Sequence, residues 1–237
     1  MSQVQFTRPS SFPPVVKNLI IINVLVYIAQ VTIQTGFDLE DHFALHDIQS
    51  FYFKPYQLLT HMFMHGGFTH LLFNMIALWM FGSILENYWG PKRFLTFYLL
   101  CGLGAALLHL GVLYLEMKPA WDYIRSFPGG MDDPRLYNTD ILVMNKAINS
   151  ATLGASGAIF GCLAAFGYLF PNSMIYMYFM FPMKAKWFVL IYGALELFMG
   201  IRNSAGDSVA HFAHLGGAIT GFIIVYFWNK RRRKTLY

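Results

Sequence analysis

The sequence predicts an all-α polytopic membrane protein, a bundle of six transmembrane helices, and three observations carry that reading. Of 237 residues, 56% are hydrophobic and only 12% are charged, whereas roughly a quarter of a soluble domain is charged. Six apolar segments each approach the length of about 20 residues that a spanning helix needs. The basic residues, finally, collect in alternate loops rather than along one face.

The segments run from Val15 to Ile33, Gly67 to Tyr88, Phe94 to Leu115, Ala151 to Phe170, Trp187 to Ile201 and Val209 to Trp228. They are expected to make one membrane domain over residues 1–237. No basic start, short apolar core and small-residue cleavage site open the chain, so the first segment reads as a retained helix. Residues 116–150 form the least apolar stretch and carry Pro119, Pro128, Gly129, Gly130 and Pro134. They read as one long outer loop, and residues 229–237 as a basic inner tail. Cys101 and Cys162 lie inside apolar segments without partners at metal-ligand spacing, and read as packing residues.

A net charge of +5 raises the question of nucleic acid, but the placement of the charges answers otherwise. With both termini, the second loop and the fourth loop inside, one side collects Arg8, Lys17, Lys92, Arg93, Lys184, Lys186 and the run Lys230 to Lys234, against Glu86 alone. Most acids, from Asp38 to Asp207, fall on the other side. Positive charge is retained on the cytoplasmic side of membrane proteins. The basic tail with Arg231, Arg232 and Arg233 therefore stops the last helix and meets anionic lipid, and no nucleic-acid partner is expected. The predicted location is a cell membrane, a bacterial inner membrane, with both termini cytoplasmic.

Two segments open on reactive residues followed by small ones. Gly154-Ala155-Ser156-Gly157 with Gly161 begins the fourth, and His214 with Gly217 and Gly221 begins the sixth. Glycines four apart share a helix face and let two backbones approach closely. Ser156 lies 15 residues before Pro171 and His214 lies 15 residues before Asn229. At about 1.5 Å per residue, both sit roughly 22 Å above the inner edge of a core about 30 Å thick. Equal depth lets a neutral imidazole take the serine proton. His70 and Asn74, four apart on the second helix, fall near the same level. Polar groups at such depth are functional candidates, so His70 and Asn74, with the Ser156 backbone N–H, are assigned to an oxyanion hole.

This ordered set resembles the signature of the rhomboid family: the GxSG-type opening at Gly154 to Gly157, the His-x-x-Gly-x-x-x-Gly of His214, Gly217 and Gly221, and the His-x-x-x-Asn of His70 and Asn74. The resemblance covers nearly the whole chain. It implies an intramembrane serine endopeptidase of six helices, acting on transmembrane protein substrates within the lipid bilayer. Ser156 would be nucleophile, His214 general base and then acid, and His70 and Asn74 oxyanion donors. Phe160 matches an aromatic position packing beneath the histidine, and Glu86, Gly90 and Lys92-Arg93-Phe94 resemble a structural inner corner. Tyr56-Gln57 departs from the Trp-Arg pair that many relatives carry. The resemblance also suggests Arg202 to Val209 as a cap and the fifth helix as a lateral entrance. A catalytically dead relative would lack Ser156 or His214, and both are present.

Other residues read differently. His211 lacks the glycines that follow His214 and is expected at a loop or rim. His61 and His65 have metal-ligand spacing, but Met62 stands where a zinc protease needs its glutamate, so no metal and no cofactor are expected. Every aspartate lies in an outer loop, which removes an aspartyl mechanism. Asp207 is the sole nearby carboxylate in sequence and sits in a Gly/Ser-containing loop, which favours a dyad over a triad. Glu196, the one intramembrane acid, is either a carboxyl paired or protonated against a neighbouring helix or a part of gating.

Overall fold

The structure, a computed structural model, describes residues 9–33, 38–128, 150–177, 181–202 and 210–234. Among these residues six long helices carry the architecture: α1 (Pro14–Thr32), α4 (Phe68–Trp89), α5 (Pro91–Arg125), α6 (Ser156–Leu169), α7 (Ala185–Arg202) and α8 (His211–Lys234). Short helices α2 (Leu39–Phe43) and α3 (Gln57–Thr60) lie between α1 and α4. A two-stranded antiparallel hairpin, β1 (Met174–Met177) with β2 (Phe181–Lys184), joins α6 to α7 and pairs Met174 with Lys184. The all-α polytopic class holds.

Four stretches, Pro14–Thr32, Phe68–Trp89, Pro91–Pro119 and His211–Lys230, are long and apolar enough to cross a membrane. Their outer surfaces leave Leu25, Phe73, Leu107, Phe222 and Phe227 exposed, a surface suited to lipid rather than water. Helix α7 carries Lys186, Glu196 and Arg202, and turns Leu190, Phe198 and Ile201 outward. Only Ala185, Glu196 and Gly200 of α7 are buried. Helix α6 has 14 residues and ten buried side chains or glycines. Its rise of about 21 Å falls short of a hydrocarbon core of about 30 Å.

The inner corner is built on Glu86. Its carboxylate accepts the backbone N–H groups of Val15 (3.0 Å) and Val16 (2.8 Å), donors that the first turn of α1 leaves unpaired. Gly90 takes φ 83 between α4 and α5, a conformation costly for any residue with a Cβ, and Pro91 then fills the first position of α5. Gln57, the second residue of the Tyr56-Gln57 pair, ties together the segment around α2 and α3. Its side chain accepts from His46 N (3.3 Å) and donates to Tyr52 O (2.8 Å) and His42 O (3.1 Å).

Three boundaries differ from the sequence reading by five residues or more, one being that α8 continues through Arg231, Arg232 and Arg233 to Lys234 instead of ending at Trp228 before a basic tail. The predicted outer loop 116–150 does not begin at Glu116, because α5 continues to Arg125 with Pro119 inside it. Trp121 and Ile124 are buried there, Lys118 pairs with Asp122 at 2.6 Å, and Arg125 bonds Gln49 at 3.1 Å. The burial of Trp121 and Ile124 and the Arg125 bond to Gln49 offset the lost hydrogen bond of one proline. The fourth helix starts at Ser156 rather than Ala151, since Thr152 bridges Leu45 and Gly154 adopts φ 131. The remaining residues of that predicted loop, 129–149, and the proposed cap 203–209 with Asp207 lie outside the described residues.

Helices α6 and α8 cross backbone to backbone. A Cβ on Gly221 would lie 2.5 Å from the Gly161 carbonyl oxygen, one on Gly217 would overlap Gly157, and one on Gly157 would lie 2.5 Å from Ala105 Cβ. Because both sides of the crossing are main chain, nothing can turn aside. Gly217→Ala is therefore expected to separate the helices and cost at least about 1–3 kcal/mol of overpacking, read as a lower thermal unfolding midpoint in detergent. An unchanged midpoint would contradict the crossing.

Candidate active site

The close crossing sets two side chains at the mouth of the bundle. Ser156 is the first residue of α6, where backbone N–H groups lack intrahelical acceptors and the helix end favours negative charge. His214 lies one turn into α8, and its Nε2 accepts from Ser156 Oγ at 2.8 Å. Phe160, one turn below Ser156, stacks on the His214 ring with centroids 4.2 Å apart and planes 7° apart, so the imidazole is held by its face.

His70 flanks the same point. Gly154, two residues before Ser156, faces the His70 ring so closely that a Cβ there would lie 2.9 Å from Nε2 and 3.6 Å from Ser156 Oγ. His70 Nδ1 accepts from Gly66 N at 3.4 Å, which leaves the proton of a neutral ring on Nε2, directed to the serine side. Asn74 follows one turn below on the same helix. It is buried, and its Nδ2 has no hydrogen-bond partner among the described residues. His214 and His70 thus stand beside the turn that carries Ser156, and Asn74 lies one turn along the helix from His70.

Outer elements hold the turn in place. Gly154 N donates to His61 O at 2.9 Å, while His61 Nδ1 bonds Gln57 O at 2.8 Å. From α1, Gln30 clamps His65 through its N (3.0 Å) and its O (3.2 Å). Thr152 Oγ1 and His109 Nε2, 2.8 Å apart, tie the other flank to α5.

Glu196 is the residue that sequence reasoning left without a role. Its Oε2 accepts from Nδ1 of His214 at 2.9 Å and from Nδ1 of His211 at 2.7 Å. His211 is accordingly a buried residue of α8 and not a loop or rim position, because its ring reaches α7. A signal was present: histidines three apart share a helix face, and that face needs a buried acceptor. The two ring nitrogens and the carboxylate oxygen lie within 4.8 Å of one another, the one metal-capable group among the described residues. Ligand atoms around a tetrahedral zinc would stand about 3.3 Å apart, given bonds near 2.0–2.1 Å. The observed separations of 2.7 and 2.9 Å are those of direct hydrogen bonds.

His61 also sets an acid limit. Burial pushes its pKa down to about 4, partly offset by its bond to Gln57 O. An unfolded chain binds that proton near pH 6.5, so the contribution is fully present above 6.5 and is lost as pH falls toward 4. A shift of this size corresponds to on the order of 3 kcal/mol. The thermal midpoint is expected to fall between pH 6.5 and 4, and less steeply in His61→Gln; equal slopes would remove His61 as the cause.

Residues 52–231 match the family profile of the Rhomboid domain. The chain is 32% identical over 177 residues to "Rhomboid protein 1, mitochondrial" of Saccharomyces cerevisiae, covering 73% of this chain and 41% of that protein. It is 27% identical to "Rhomboid protease AarA" of Providencia stuartii, over 87% of this chain and 69% of the relative. "Rhomboid protease GluP" of Bacillus subtilis is 27% identical over 70% of this chain and 25% of its own length. The chain spans about half the length of the curated mitochondrial relatives it matches. With three quarters of its length inside that domain, this chain belongs to the rhomboid family.

Proposed function

We propose that the chain is an intramembrane serine endopeptidase that hydrolyses peptide bonds in or near transmembrane segments of membrane proteins. The observation that carries this reading is the 2.8 Å bond from Ser156 Oγ to His214 Nε2 at the recessed start of α6. Relatives named as rhomboid proteases support the reaction class.

Ser156 Oγ attacks the scissile carbonyl carbon while His214 Nε2 takes its proton. The developing oxyanion is met by the Ser156 N–H, His70 Nε2–H and Asn74 Nδ2–H. His214 then returns the proton to the leaving amine, and the acyl-enzyme is cleaved by water that the same imidazole deprotonates. A helical substrate keeps its carbonyls in hydrogen bonds, so segments weakened by Gly or Pro near the cut are favoured. Lys17, Lys92, Arg93, Lys184 and Lys186 mark the cytoplasmic side, with both termini there and the site opening to the opposite face.

The test is cleavage of a single-span fluorescent reporter, its segment containing Gly and Pro, by the detergent-purified chain. Ser156→Ala and His214→Ala are expected to lower kcat by about 10⁴–10⁶, and Asn74→Ala by about 10²–10³. A chelator is expected to change nothing. Cleavage that survives Ser156→Ala would sink the serine mechanism; a wild-type chain inert toward both the reporter and a fluorophosphonate would favour a client-binding protein.

A further inference from the structure

We infer that Glu196 is a positioning residue for His214, so that the site works as Ser156–His214–Glu196 with the carboxylate supplied by the neighbouring helix α7. The inference rests on the protease reading above.

Three observations converge on it. Glu196 is buried in a helix most of whose large apolar side chains are exposed, with Ala185 and Gly200 its other buried residues. Its Oε2 accepts from both Nδ1 atoms, at 2.9 Å from His214 and 2.7 Å from His211. Gly200, one turn further, makes room for this meeting: a Cβ there would lie 3.2 Å from His211 Cβ and from the Phe212 ring.

The chemistry follows from the inventory of donors. An ionised carboxylate only accepts, so Nδ1 of each ring must carry a proton. A neutral His214 with its proton on Nδ1 has a lone pair on Nε2, the atom that faces Ser156 Oγ. Glu196 thereby selects the tautomer able to act as base. When the Ser156 proton moves to Nε2, the Nδ1 proton stays where it is and the carboxylate stabilises the imidazolium. His211 donates to the same oxygen and limits its rotation. Phe160 fixes the ring by its face and Glu196 by its edge, which leaves the imidazole one orientation.

The test compares wild type, Glu196→Gln and Ser156→Ala, each first checked for its thermal midpoint. The probes are the single-span reporter and a fluorophosphonate fluorophore. Glu196→Gln is expected to lower kcat about 10³–10⁴-fold with KM within threefold, by analogy with loss of the carboxylate in other triads. Labelling of Ser156 should slow in parallel. In wild type, ¹⁵N-histidine-edited proton spectra are expected to contain two low-field Nδ1–H signals, one lost in His214→Ala and the other in His211→Ala. A Glu196→Gln kcat within threefold of wild type, with Ser156→Ala dead, overturns this inference alone. An active Ser156→Ala overturns the protease reading as well. Where Glu196→Gln fails to fold, the wild-type spectrum decides, and absence of both low-field signals overturns the assignment.

Discussion

Everything at the outer recess depends on how closely α6 and α8 approach. In a bilayer, helix association has little hydrophobic driving force and relies on packing, and here the packing surface is the main chain itself. Gly157 and Gly161 of α6 lie against Gly217 and Gly221 of α8, with Ala105 and Cys101 of α5 filling the third side. A methyl group at Gly217 or Gly221 would meet the main chain of Gly157 or Gly161, which no rotamer relieves. That contact brings the first turns of both helices to hydrogen-bond distance, and the serine and histidine stand on those turns.

Several buried polar groups inside the bundle hold defined partners. Glu86 caps α1, Gln57 ties the outer loop, Gln30 clamps the His65 turn, and Glu196 receives two imidazoles. The buried Asn74 Nδ2 has no partner among the described residues, a condition it shares with polar atoms of Asn23, Asp47, His65, Ser83, Tyr98 and Trp121. In an apolar setting such an orphan donor is costly, and an oxyanion formed during reaction is the acceptor that would complete it.

Much of this was legible in the chain. Spacing of the glycines, equal distances from Pro171 and Asn229, and the four-residue step from His70 to Asn74 are one-dimensional signals of helix faces and depth. The structure adds what periodicity cannot carry. Whether Glu196 faced lipid or protein depended on the rotation of α7, an otherwise apolar helix with no polar stripe to orient it. Pro119 looked like a loop signal, yet α5 continues past it with Trp121 and Ile124 buried and Arg125 bonded to the distant Gln49. The start of α6 moved from Ala151 to Ser156 because Leu45, over a hundred residues away, pairs with Thr152. His211 reads from sequence as a loop or rim residue because its partner Glu196 lies on another helix, while the pairing of Glu196 with a neighbouring helix is among the readings its position offers.

The central claim is that Ser156 and His214 react beneath donors from His70, Asn74 and the start of α6. A structure of the full chain bearing a fluorophosphonate adduct tests it most directly. The account predicts phosphorus bonded to Ser156 Oγ and its free oxygen within hydrogen-bond distance of Asn74 Nδ2, His70 Nε2 and the Ser156 N–H. An adduct on another residue, or an oxygen turned away from those donors, would contradict it.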